Sequence, residues 1–164
     1  MAQTLRESEF YFPVEALEMP ALLNCLAIHR QQTEDSPSLN LPVMKRLKGM
    51  MHGFIDLIFE YRGKYYVADY KSTHLGYHFS DYAFDALRNN NRAHFYDLQY
   101  LIYALALHRY LSKRISNYQV EKHFGGVYYF YLRGMSQQNE QAEGIYSCRL
   151  SSQLLHQLNE VFQA

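Results

Sequence analysis

Tryptophan is absent from this chain, and cysteine nearly so, with Cys25 and Cys148 the only two. They lie far apart and outside any Cys-X-X-Cys or Cys/His spacing, so they form no zinc pattern, and an iron–sulfur cluster needs more thiolates than two. They read as reduced structural thiols of a cytosolic protein. Net charge is missing too: 16 Lys and Arg balance 16 Asp and Glu with His neutral. No global basic field therefore advertises a stand-alone, tight, non-specific polynucleotide binder. An enzyme that receives its strand from neighbouring subunits is compatible with that balance. No run approaches 18 apolar residues, and the N-terminus has no signal-peptide core. The expectation is a soluble, cytoplasmic protein that needs no membrane.

What the chain has in excess is tyrosine, 16 in 164 residues, within a composition that is 48% hydrophobic and 20% charged. That length fits one domain able to bury a real core. Tyrosines line polynucleotide grooves, but they also fill strand faces, and the second role is the commoner one.

Along the chain, residues 7–14 (ESEFYFPV) read as a strand ended by Pro13. Residues 16–29 read as a helix interrupted by Pro20, and residues 31–42, polar and carrying two prolines, as a loop. Two strand-like runs follow, at 52–60 and 64–70, separated by Tyr61-Arg62-Gly63, a hairpin signal. Ser80 is placed to cap a helix over residues 81–87, with Asn89-Asn90-Asn91 as its break. Residues 97–111 carry Leu98, Leu101, Ile102 and Leu105 at helical spacing. Residues 124–132 read as a strand and 145–150 as a short one, and Ser151 caps a last amphipathic helix through Phe162. The expected fold is α/β, a small mixed β-sheet flanked by helices.

The chemistry concentrates on the hairpin. Asp56 sits in GFIDLIF (residues 53–59) and Asp69 in YYVADYKS (residues 65–72). An ionised carboxylate in so apolar a run is costly unless it is paired or bound to a metal. Asp69 and Lys71 are two apart, so both side chains leave one face of the strand. If Arg62 and Gly63 form a two-residue loop, Tyr61 pairs with Lys64 and counting outward pairs Asp56 with Asp69. Opposed side chains on one face have Cβ atoms about 4.5–5.5 Å apart. Arg62 is not an ideal first residue for such a turn, and a bulge would shift the register. Two carboxylates that close repel unless a cation separates them, and a hard divalent ion, Mg²⁺ above all, satisfies oxygen ligands. Lys71 could then orient or deprotonate the attacking water and offset phosphate charge. Taken alone, Asp69-Tyr70-Lys71 is equally well explained as an Asp–Lys salt bridge on a hairpin. Gln99 and Tyr103, an i,i+4 pair on one helix face, suit phosphate or base contacts, although such pairs more often only pack.

Four segments together go further. GFIDLIF, YYVADYKS, YDLQYLIYALALHRYL (residues 96–111) and HFGGVYYFYLRG (residues 123–134) resemble the C-terminal PD-(D/E)XK nuclease domain of the RecB family, the beta subunits of bacterial exodeoxyribonuclease V. The similarity runs from EFYFP (residues 9–13) to the final helix. It implies a restriction-endonuclease-like core in which Asp56, Asp69 and the backbone carbonyl of Tyr70 bind Mg²⁺, with Mn²⁺ as a substitute. It implies that Lys71 serves the hydrolytic water and that Gln99 and Tyr103 match the family's Q-X-X-X-Y motif beside the active site. It further implies a DNA substrate, an ATP-dependent exonuclease and helicase acting at double-strand breaks in recombinational repair, and RecC and RecD subunits as partners. The family has one more metal ligand, a His on a helix roughly a hundred residues before the first Asp. No such residue precedes Asp56 here, so the expectation is a partial domain lacking the upstream helical part and the helicase region. His52, His74, His78 and His94 do not match that ligand. The competing reading from another class is a non-catalytic nuclease fold serving as a DNA-channel wall or subunit-docking surface.

Overall fold

A computed structural model describes residues 4–33 and 46–163. Five strands form one sheet in the order β1-β2-β3-β4-β5. They are β1 (Thr4–Glu18), β2 (Arg46–Tyr61), β3 (Lys64–Lys71), β4 (Phe124–Tyr131) and β5 (Ile145–Cys148). The β3–β4 pair is parallel and the other three pairs are antiparallel, so the sheet is mixed, as expected. Five helices accompany it: α1 (Met19–Thr33), α2 (Phe84–Ala93), α3 (Tyr96–Arg114), the single turn α4 (Val120–His123) and α5 (Ser152–Val161). A parallel pair cannot be joined by a tight turn, and here α2, α3 and α4 make the crossover from β3 to β4.

The core lies between the sheet and the helices. Leu22 and Leu26 of α1, Leu101 and Leu105 of α3, and Leu154, Leu155 and Leu158 of α5 pack with Val67 of β3 and Val127 of β4. Each fully buried Leu or Val removes apolar surface worth about 1.5–3 kcal/mol. This cluster anchors β3 and β4, the strands that carry the polar residues described below.

Several boundaries differ from the sequence reading. Pro13 does not end β1; it pairs with Met50, and the strand continues to Glu18. Because β1 is the outer strand of the sheet, a residue without an N–H can sit there without breaking a ladder on both sides. Pro20 opens α1 instead of interrupting it, since the first turn of a helix has no intrahelical use for that N–H. Asn89-Asn90-Asn91 lies inside α2. Tyr131 explains why: its hydroxyl donates to Asn91 Oδ1 at 2.6 Å and accepts from Asn90 Nδ2 at 2.9 Å, so the asparagines are held in the helix by β4. The segment before α2 is a short 3-10 turn, Phe79–Tyr82, which Ser80 lies within and does not cap. Of the expected loop at 31–42, residues 31–33 belong to α1 and the remainder lies outside the described residues.

Other elements follow the sequence closely. Arg62 and Gly63 both have positive φ, +52° and +79°, the signature of a two-residue hairpin turn matched to strand twist. Arg62 tolerates it with its guanidinium over the Tyr61 ring, 5.1 Å from the centroid, while Glu60 Oε1 accepts the Gly63 N–H at 2.6 Å. Ser151 caps α5, its hydroxyl oxygen accepting the Leu154 N–H at 3.2 Å.

Candidate active site

The turn fixes the register: Tyr61 faces Lys64, and pairing proceeds to Leu57 opposite Ala68. There the regular ladder stops, one pair short of Asp56 and Asp69. The side chain of Asp56 takes over, its Oδ2 accepting the backbone N–H of Tyr70 at 3.0 Å. Ile55 and Ile58 are both buried while Phe54 is exposed, so the alternation of faces in β2 breaks around Asp56. The two carboxylates are thereby brought together, but through a side-chain-to-backbone bond and not through the regular cross-strand pair that counting implies.

Asp69 is 5% exposed, an unusual position for a carboxylate. Its pKa is raised: burial is the main cause, Lys71 pulls against it, and the neighbouring Asp56 charge adds to the rise. Lys71 Nζ lies 2.7 Å from Asp69 Oδ2. That contact is a close ion pair on a buried carboxylate oxygen.

Helix α3 and strand β4 bring the remaining groups. Gln99 Oε1 accepts from Lys71 Nζ at 3.1 Å, and Gln99 Nε2 donates to the Tyr103 hydroxyl at 3.0 Å. Tyr103 has its pKa pushed up to about 12, by burial first and then by the charges of Asp69 and Asp56, so it is a neutral hydroxyl facing both carboxylates. All the predicted side chains, Asp56, Asp69, Lys71, Gln99 and Tyr103, thus meet in one cluster, with the Tyr70 backbone between Asp69 and Lys71 in sequence. Two tyrosines that sequence reasoning did not single out complete it. Tyr129 is opposite Asp69 in the parallel β3–β4 pair and is fully buried, and its hydroxyl donates to Gln99 Oε1 at 2.5 Å. Tyr96, the first residue of α3, lies under Lys71 Nζ, 3.9 Å from its ring centre. The available signal was the alternation of Tyr129 and Tyr131 in FGGVYYFYL, which put both on one strand face.

The histidines near the motifs stand in other surroundings. His74 rests edge-on against Tyr77, His78 precedes the 3-10 turn, and His94 stacks on Tyr96 at 5.4 Å between centroids. The side chain of His52 lies outside the described residues. Among the described residues, no three His, Cys, Asp or Glu side chains gather as a metal-binding group. The acidic donors at this site are therefore two carboxylates. Two hard carboxylates, one of them buried with its pKa raised in part by the charge of the other, fit a hard divalent cation. Among the described residues, no helix is long and apolar enough to cross a membrane.

Comparison with known proteins identifies the family of the chain. Residues 4–164 match the PD-(D/E)XK nuclease superfamily. The chain is 42% identical over 158 residues, 95% of its length, to the RecBCD enzyme subunit RecB of Escherichia coli (strain K12). It is 38% identical over 159 residues, 96% of its length, to the RecB subunit of Haemophilus influenzae. It is 41% identical over 90 residues, 54% of its length, to that of Mycobacterium tuberculosis (strain CDC 1551 / Oshkosh). The chain spans 13% of the length of the first two relatives and 8% of the third.

Proposed function

Since the chain belongs to the PD-(D/E)XK nuclease superfamily, we propose that it hydrolyses DNA phosphodiester bonds as the nuclease domain of a RecB-type subunit, with Asp56, Asp69 and Lys71 at the reacting centre. The observation that carries this reading is the buried Asp69 carboxylate, which has the Lys71 ammonium at 2.7 Å and the charge of Asp56 beside it.

Asp56, Asp69 and the Tyr70 backbone carbonyl would hold a divalent ion, Mg²⁺ with Mn²⁺ as a substitute. Such an ion would supply Lewis acidity, making water more acidic and offsetting charge on the phosphoryl oxygens. The protein's own residues do the rest. Asp56 accepts the Tyr70 N–H and so holds the peptide that joins Asp69 to Tyr70. Lys71 contributes a positive charge to the phosphate oxygens, where charge builds as the attacking oxygen approaches. Gln99 and Tyr103 hold that ammonium and present a neutral hydroxyl beside the two carboxylates.

As part of a longer RecB-type subunit, the domain would act on DNA in the cytoplasm with RecC and RecD, within an ATP-dependent exonuclease and helicase. Zero net charge accords with a strand delivered by those partners, because unaided binding to DNA depends on neutralising phosphates. The test is to assay the full-length protein with and without Asp69→Ala. DNA degradation is expected to vanish while DNA-dependent ATP hydrolysis is spared. A mutant that degrades DNA at the unmutated rate would remove the site assignment and favour a non-catalytic channel wall or docking module.

A further inference from the structure

A lysine ammonium has three N–H donors and no acceptor. Around Lys71 Nζ stand three partners: Asp69 Oδ2 at 2.7 Å, Gln99 Oε1 at 3.1 Å and the face of Tyr96 at 3.9 Å. The Tyr129 ring centre lies 5.0 Å away and closes a fourth side. Both ring distances fall within the range of cation–π attraction. The amide of Gln99 is itself fixed at both ends. The Tyr129 hydroxyl donates to Oε1 at 2.5 Å, with the Tyr96 carbonyl 3.3 Å from the same hydroxyl, and Nε2 donates to Tyr103. Burial, followed by the Asp69 charge, pushes the Tyr129 pKa far above its ordinary value, so its hydroxyl stays a neutral donor.

These contacts divide the work between two carbonyl or carboxylate partners and two rings. Lys71 has a flexible stem, and its ordinary anchor would be the carboxylate beside it. Here the ammonium is held by an aromatic face and an amide oxygen as well. We propose that Tyr96 and Tyr129 are positioning residues that cage Lys71, Tyr96 through the face of its ring and Tyr129 through its hydroxyl on Gln99. The cage keeps the ammonium in place beside Asp69 by contacts additional to the carboxylate. The proposal rests on the reading of Lys71 as part of the reacting centre.

The experiment is steady-state DNA cleavage by the full-length protein at saturating Mg²⁺, with Tyr96→Phe, Tyr96→Leu and Tyr129→Phe, each alone and combined with Lys71→Ala. Tyr96→Leu is expected to lower kcat roughly tenfold with KM for DNA unchanged, the scale of a desolvated cation–π contact. Tyr96→Phe keeps the ring face and loses at most about twofold. Tyr129→Phe removes a single oxygen and lowers kcat several-fold, again without a change in KM. In combination with Lys71→Ala, neither Tyr96→Leu nor Tyr129→Phe is expected to cause further loss, because the group they place is gone. Equal losses in Tyr96→Phe and Tyr96→Leu would overturn the cage, as would losses that persist undiminished beside Lys71→Ala. Should Tyr96→Leu fail to fold, Tyr129→Phe decides by the same criterion. Unmutated activity in Lys71→Ala alone would instead remove the site reading beneath the proposal, and the proposal with it.

Discussion

Asp56 is bonded to the residue that follows Asp69, its Oδ2 accepting the Tyr70 N–H at 3.0 Å, so the first carboxylate acts on the main chain beside the second. Asp56→Asn keeps an oxygen acceptor for that N–H and removes the charge. The variant is expected to melt within about 0.5 kcal/mol of the unmutated protein in EDTA, as a near-isosteric change should. It should lose most of the rise in Tm that Mg²⁺ or Mn²⁺ produces, because only ligands that bind the native state stabilise it. Thermal melts across a metal titration separate the two effects, and a full metal-induced rise in Asp56→Asn would exclude this carboxylate as a ligand.

Lys71→Ala should divide the parameters the other way. The ammonium has no lone pair to give a cation, so the metal-induced rise in Tm should persist while cleavage falls by about a hundredfold or more. If metal binding weakens as much in Lys71→Ala as in Asp56→Ala, the division of roles is wrong.

Acid stability should depend on His29. This ring is buried between α1, α3 and β5, with the Tyr100 hydroxyl 2.5 Å and Cys148 Sγ 3.8 Å from Nε2. Its pKa is lowered from 6.5 to about 4, by burial first and then by the charges of Arg92 and Arg30. Between those values the unfolded chain binds a proton that the folded protein refuses. Stability is therefore unaffected by this group above pH 6.5 and is lost as pH drops towards 4, the loss reaching about 3 kcal/mol. Denaturant unfolding at a series of pH values should show this slope, and His29→Gln should flatten it. An unchanged slope in the variant would assign the acid limb to other groups.

Ser151→Ala removes the oxygen that caps α5 and should cost about 1 kcal/mol without altering cleavage. Chemical denaturation measures it directly; a loss of activity beyond the change in stability would tie α5 to the site in a way its cap does not predict.

How much was legible in the sequence depended on how local the determining contact was. The hairpin, its turn and the Ser151 cap could be read because the residues that decide them are neighbours. Pro13 and Pro20 were misread for the opposite reason. Each is tolerated by a position, edge strand or first helical turn, that becomes known only once neighbouring elements are placed. Asn90 and Asn91 look like a helix stop until Tyr131 arrives from β4 to satisfy them. The candidate site divides in the same way. Asp56 and Asp69 could be brought together by counting from the turn, although Asp56 reaches Tyr70 by its side chain and not through the expected strand pair. Tyr96 and Tyr129 could not be assigned to Lys71, because their nearness follows from the parallel register of β3 on β4 and the docking of α3.

That parallel register also sets an order of events. The carboxylate pair belongs to a hairpin closed by a two-residue turn, the kind of unit that forms in about 1–10 μs. Tyr129 reaches Asp69 only after three intervening helices have been threaded across and β4 has zipped alongside β3, a non-local step with a larger loop-closure cost. A chain emerging from the ribosome would thus carry the acidic pair well before Lys71 is steadied, and its chemistry would be armed only once β4 has joined the sheet. Pulse-labelled hydrogen exchange should find the β2–β3 amides protected ahead of those of β4; simultaneous protection would mean that the centre assembles in one stroke.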